Sequence, residues 1–267
     1  MVMEQGLCSL SRRRLILTGL GALLVSAAAA SVAGIYLGAA REVLMLIPGL
    51  MVLLPSIIDM RGNIAGVLAS RLSSSMHLGV FSIDFEEGSV LGDNIRASFV
   101  ITVLIAFVLG IFAYLASLLS GLPTVGVTDL VLISVTSGIV SGLVVMGITV
   151  VIALASYRYG LDLDMIAAPT VTTSGDVVTL PILVLSAVFV VQLPPWARLA
   201  LGAAVIAAAG AAMLYTRRRP AGIGTIVREN LFLLIPLSVL GTLAGLTYSL
   251  NLDDLVTFAA FLILIPP

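Results

Sequence analysis

The chain has 267 residues and 27.7 kDa, with 60% hydrophobic side chains, only 10% charged ones and a mean hydropathy of +1.21. A single water-soluble core cannot absorb that much apolar surface, so the composition describes a polytopic membrane protein. Thirteen arginines and no lysine against 14 acids give a net charge of -1, which excludes the basic footprint of a nucleic-acid binder, and one His and one Cys leave almost nothing for zinc, disulfide or thiol chemistry.

Residues 1–14 read as a cytoplasmic amino-terminal segment, with Cys8 unpartnered and Arg12, Arg13 and Arg14 at its end. The apolar run that follows, 15–37, is too long for a removable leader and is followed by further spans. At roughly 20 apolar residues per crossing, the remaining spans fall near 43–60, 98–120, 126–156, 165–192, 196–215 and 230–250. A last apolar run, 255–267, stops after about a dozen residues at Pro266-Pro267, which is too short to cross and predicts a truncated second helix or completion by a partner; a short re-entrant tail is the alternative. Stretches 126–156 and 165–192 exceed one crossing and predict tilted or kinked helices. The fold class expected is therefore an all-α transmembrane helical bundle.

Arginine placement sets the orientation, because short cytoplasmic loops carry the positive excess. With the amino terminus inside, all arginines except Arg41 and Arg198 lie on the cytoplasmic side, and the loop 79–96 with Asp84, Glu86, Glu87 and Asp93 lies there too. That loop reads as solvated, with cation sensing as the competing reading. Arg61 and Arg71 read as snorkelling at an interfacial helix end, one of them paired with Asp59.

Ser31-Val32-Ala33-Gly34 corresponds to Thr242-Leu243-Ala244-Gly245, Glu42 to Asp253, and Leu54-Pro55 to Ile265-Pro266. This internal repeat divides the chain into a five-helix unit at 15–192, a linking helix and basic loop at 193–224, and an incomplete second unit at 225–267. Five is odd, so the linking helix restores the orientation and makes the repeat parallel.

Two polar clusters interrupt the apolar spans, and polar groups there mark a cavity or a partner by default. The first runs from Pro55 to Leu72. Pro55 and Gly62 predict a break at which carbonyls face an ion; on a continuing helix instead, Asp59 lies one turn before Asn63, and Asn63, Gly66 and Ser70 share a face. Asn63 adds an amide for a water-filled path. The second cluster, Asp162 to Pro181, carries Asp176 well inside its span, preceded by Thr172-Thr173-Ser174-Gly175. One acid among hydroxyls and small residues suits a hydrated Mg²⁺ and is a poor site for zinc or copper. A helix-to-helix hydrogen bond is the bland reading of Asp176. Asp162 and Asp164 cap a helix amino terminus or attract cations at a pore mouth.

Both clusters together resemble the membrane domain of the MgtE family of magnesium channels and transporters. Pro55, Gly62-Asn63 and Ser70-Arg71 follow its first pattern, and Asp162, Asp164, Pro169 and Asp176-Val177-Val178-Thr179-Leu180 its second. The stretch from Gly62 to Leu72 looks most like the two-unit solute-carrier branch. The resemblance implies a five-helix fold working as a homodimer or pseudo-dimer with the pore at the interface, Asp176 holding the cation and Asn63 lining the path. Asp59, Gly62, Ser70, Thr172, Thr173, Asp162 and Asp164 would line the pore or its mouth. The large amino-terminal regulatory domain of the bacterial members does not precede the first span here, which puts their gating in doubt.

The expected function is passage of Mg²⁺, or a related divalent cation, across the cell membrane, with no organic cofactor, no catalytic residues and no nucleic-acid partner. A proton- or sodium-coupled exchanger is the alternative within transport. An intramembrane enzyme is the remote one, since His77 has no nucleophile or metal motif beside it.

Overall fold

The structure is a computed structural model that describes residues 2–159 and 163–250. The elements in chain order are α1 (Val2–Ala39), α2 (Arg41–Leu46), α3 (Leu50–His77), α4 (Val90–Leu119), α5 (Val127–Tyr159), α6 (Leu163–Gln192), α7 (Pro195–Arg218), a π turn at Pro220–Gly224, and α8 (Thr225–Leu250). The described residues contain no strand. Seven segments among them are long and apolar enough to cross a membrane, one each from α1 and α3 to α8, which is the number expected up to residue 250; the second is Leu50–His77, displaced from the expected 43–60. The apolar run 255–267 lies outside the described residues.

The expected break at Gly62 is absent. Helix α3 starts at Leu50, after a turn through Pro48 and Gly49, the latter at φ 87, and runs unbroken past Pro55 and Gly62 to His77. A helical glycine costs only about 1 kcal/mol relative to alanine, whereas the residues beyond it are heavily buried. Ala65, Leu68, Ala69 and Leu72, at helical spacing, pack with Leu91, Val145, Ala153, Leu163, Ala167 and Val171. Burial of that stripe outweighs the local freedom of one glycine.

Helix α3 is the hub, touching α4, α5, α6 and α8, while α1 lies on α6 and α7 leans on α4 and α5. The first half of α3 shares a core with Leu180, Leu183, Ala187 and Val190 near the end of α6, and the second half packs on residues at the start of α6, so the two helices run antiparallel. Small residues set the closest crossings, as expected where lipid supplies no hydrophobic drive between helices. A Cβ on Gly110 of α4 would lie 2.5 Å from Val131 Cα on α5, and beside it Ser134 Oγ donates to the Ala106 carbonyl at 2.6 Å. Helix α8 is seated on α3 through Gly241 and Gly245, with Ser56 and Thr242 hydroxyls 3.1 Å apart across the contact.

The ion-paired arginines among the described residues lie at the two ends of the bundle. At one end Arg71 pairs with Glu229 at 3.5 Å, Arg96 with Asp93 at 3.7 Å and Arg219 with Glu87 at 2.5 Å. At the other, Arg198 bonds Asp129 at 3.3 Å and the Leu193 and Val191 carbonyls at 2.9 and 2.6 Å. The acidic loop is tied into structure: Asp84 accepts from the Glu86 amide at 2.9 Å, Asp93 from the Gly88 amide at 3.0 Å, and Ser89 caps α4 through the Gly92 amide at 3.0 Å.

Candidate cation site

The two polar clusters meet where α3 crosses α6, with Gly62 and Gly175 at the contact and ordinary room for a Cβ at each. A Cβ on Gly62 would lie 3.7 Å from Thr172 Cγ2, and one on Gly175 would lie 3.8 Å from Arg61 Cβ and 3.9 Å from the Gly62 nitrogen. Each candidate ligand follows its glycine by one residue, Asn63 after Gly62 and Asp176 after Gly175. One residue is a 100° step on a helix, and on two facing antiparallel helices that step turns to the same side of the contact.

Asp176 is 7% exposed and lies about 20 Å along α6 from Leu163, the first residue of that helix, at 1.5 Å per residue. No arginine among the described residues forms an ion pair with it. Asn63 is half-buried and hydrogen-bonds Asp59 one turn earlier. Thr173 does not face α3; its hydroxyl bonds Ser26 on α1. Ser174 turns back to the Thr170 and Val171 carbonyls at 2.7 and 3.0 Å. Thr172 is exposed beside Gly62. Asp162 lies outside the described residues, as does the side chain of Asp164, whose backbone is in the first turn of α6.

Within the otherwise buried α3, one polar stripe stays open. Asp59 and Ser70 are exposed, and Asn63 and Gly66 are only half covered, at steps of four, three and four residues. The helix-face alternative of the sequence reading is the one the fold adopts.

Two features escaped sequence reasoning. Thr179, on the Asp176 face at i+3, is fully buried with its hydroxyl unpartnered among the described residues. Its helical spacing from Asp176 was the available signal. Arg61 was expected at the interface, paired with Asp59; instead it is 2% exposed, about 16 Å along α3 from Leu50 at 1.5 Å per residue, and its guanidinium enters the α4/α5 interior. The physical reason is space: Gly138 and Gly142 on α5 leave a slot that only the assembled fold reveals. Arg71 is paired with Glu229 and with Asn94, at 2.9 Å, and not with Asp59.

The donors near the crossing are all oxygens, from Asp176, Asn63, Asp59 and threonine hydroxyls. No group of three or more His, Cys, Asp or Glu able to hold a metal exists among the described residues. Such a site cannot replace the whole shell of a bare ion and suits a hard cation that keeps most of its water.

The family model for MgtE, divalent cation transporter, matches residues 54–186. This stretch is an MgtE-type membrane domain. It runs from the start of α3 into α6 and contains Asp59, Asn63 and Asp176. Beyond it, the chain is 30% identical over 146 residues to mouse solute carrier family 41 member 3, a match covering 52% of this chain and 29% of that protein. It is 26% identical over 137 residues to the Xenopus laevis member 2 (49% and 24%) and 25% identical over 152 residues to the human member 2 (53% and 25%). The MgtE-type chain thus matches less than a third of the length of these relatives. No solved structure matches it.

Proposed function

We propose that the chain carries divalent cations, Mg²⁺ first among them, through a path along the open stripe of α3, with Asp176 as the cation ligand and Asn63 lining the path. One observation carries this reading: the Gly62–Gly175 crossing turns an amide and a lone, unpaired acid to one side of a helix pair deep in the bundle. A carboxylate costs too much in lipid to stand without a cationic partner, and a hydrated divalent ion meets that need. Asp59, Ser70 and Thr172 supply further oxygens toward the two ends, and Asp162 and Asp164 attract cations at the mouth.

Half-pore geometry follows from the uncovered stripe. A second unit, from another copy or from a fused repeat, closes it and brings a second acid to the axis. The reaction is translocation, with no covalent step. The protein sits in the cell membrane with its amino terminus inside, an orientation supported by the clustering of Arg71, Arg96, Arg219 and Arg228 helix ends at one face. A coupled exchanger uses the same residues and differs in needing a counter-ion gradient.

The test is Mg²⁺ binding and uptake for the wild type and Asp176→Asn. Loss of both in a variant of unchanged thermal stability is expected. Normal uptake by Asp176→Asn removes Asp176 from the path.

A further inference from the structure

We propose that Arg61 is the counter-charge of the cation site, a fixed positive charge that weakens divalent binding at Asp176 so that the ion can leave. This rests on the reading of Asp176 as the cation ligand and adds a residue that sets how tightly the ion is held.

The surroundings of Arg61 fit the shape of its side chain and leave its charge almost unpartnered. Its Cβ faces Gly175, the residue before Asp176. Its guanidinium then runs between α4 and α5, where a Cβ on Gly138 would lie 3.0 Å from Nη2 and one on Gly142 would lie 2.5 Å from Nη1. Nη1 donates to Thr102 Oγ1 at a long 3.4 Å, and Nε and Nη2 have no partner among the described residues. The cavity beside it, bounded by Ser98, Thr102, Gly142 and Met146, offers about 10 Å³. That is space for one water and none for an anion. No carboxylate among the described residues pairs with it.

An apolar side chain of similar volume fills such a slot at least as stably as a buried ion. Two glycines in the middle of α5 each weaken that helix; a Cβ on Gly142 would strike Arg61 Nη1 first, and one on Gly138 would meet both Ala106 Cβ at 2.8 Å and Arg61 Nη2 at 3.0 Å, so the room they leave serves the guanidinium as well as the α4–α5 approach. A purely structural account therefore leaves the charge unexplained. Asp176 follows the glycine that Arg61 Cβ faces, and no arginine among the described residues pairs with it. In a medium of low effective dielectric, charges on packed neighbouring helices still interact across the contact, and the effect doubles for a divalent ion. Arg61 neutralises the empty site and opposes the filled one.

The experiment measures Mg²⁺ affinity of the purified full chain by calorimetry, with uptake into proteoliposomes alongside. Arg61→Met and Arg61→Gln are expected to tighten the Kd at least about tenfold and to lower maximal uptake. Arg61→Lys keeps the charge and is expected to hold the wild-type Kd even if thermal stability falls. An unchanged Kd in folded Arg61→Met or Arg61→Gln overturns the proposal, and so does a lysine variant as tight as the methionine one. The Asp176→Asn control separates the two claims. Binding that survives there defeats the site reading itself, whereas binding lost there with Kd unmoved by Arg61→Met defeats only the counter-charge.

Discussion

Replacing Gly245 by alanine tests whether α8 is seated on α3. The added Cβ would overlap the Val52 carbonyl oxygen and lie 2.8 Å from its carbon and 2.9 Å from Val52 Cα. Carbon–oxygen contacts settle near 3.3 Å or beyond, and the obstacle is backbone of a fully buried residue, so no side chain can swing away. Reaching that distance requires a displacement on the order of 1 Å, stretching the Ser56–Thr242 hydrogen bond. Overpacking of this kind costs about 1–3 kcal/mol, and the better helix propensity of alanine returns about 1 kcal/mol. The net expectation is a loss of about 0–2 kcal/mol, against a gain of about 1 kcal/mol where the Cβ meets nothing. Gly210 in α7 supplies the control, since a Cβ there meets nothing within 4 Å; Gly210→Ala should gain the propensity term alone. Denaturant unfolding of the chain in mild detergent, followed by circular dichroism, reads both. Equal stability of the two variants would refute the seating of α8 on the Val52 carbonyl.

Ser134→Ala removes the 2.6 Å bond to the Ala106 carbonyl across α4 and α5; interhelical bonds of this type average about 0.6 kcal/mol, so the same unfolding assay should register a small but resolvable loss. Arg198→Ala strips three donors from the α6–α7 turn, two of them to the Leu193 and Val191 carbonyls and one to Asp129. A cost of about 1–3 kcal/mol and faster amide exchange at residues 191–198 are expected, with Mg²⁺ binding unchanged.

The crossings were legible because a bilayer imposes a length, and each apolar run met it. What hydropathy missed lies where polar residues dilute a buried helix. The second half of α3 contains Arg61, Asn63, Ser70 and Arg71, which lower its apolar signal and pointed to an end near residue 60. The stripe Ala65, Leu68, Ala69, Leu72 was nonetheless present at helical spacing, and its burial carries α3 on to His77. Helix α8 docking on α3 was not legible, because nothing in the pattern of Thr242 and Gly245 says which helix will receive them. Arg61 was misplaced for a similar reason: its slot depends on Gly138 and Gly142, more than 70 residues away in the chain, which only the fold brings to it.

The position of the candidate site follows from helix register more than from the number of acids. Apolar side chains gain little by leaving lipid for one another, so helices approach where small residues let backbones come near. At the α3–α6 contact a Cβ on Gly62 or Gly175 would meet its neighbours at ordinary van der Waals distances, so the two glycines mark the contact without being required for it. Antiparallel packing then sends the next residue on each helix to one common side, and those residues are Asn63 and Asp176. Moving either polar residue by one position would swing it by 100° and separate the pair, even with every acid and amide retained. The register of Asn63 on α3 and of Asp176 on α6 is therefore what brings the two candidate ligands to one side of the contact, and a polar residue inside a span gains its meaning from the helix face on which it falls.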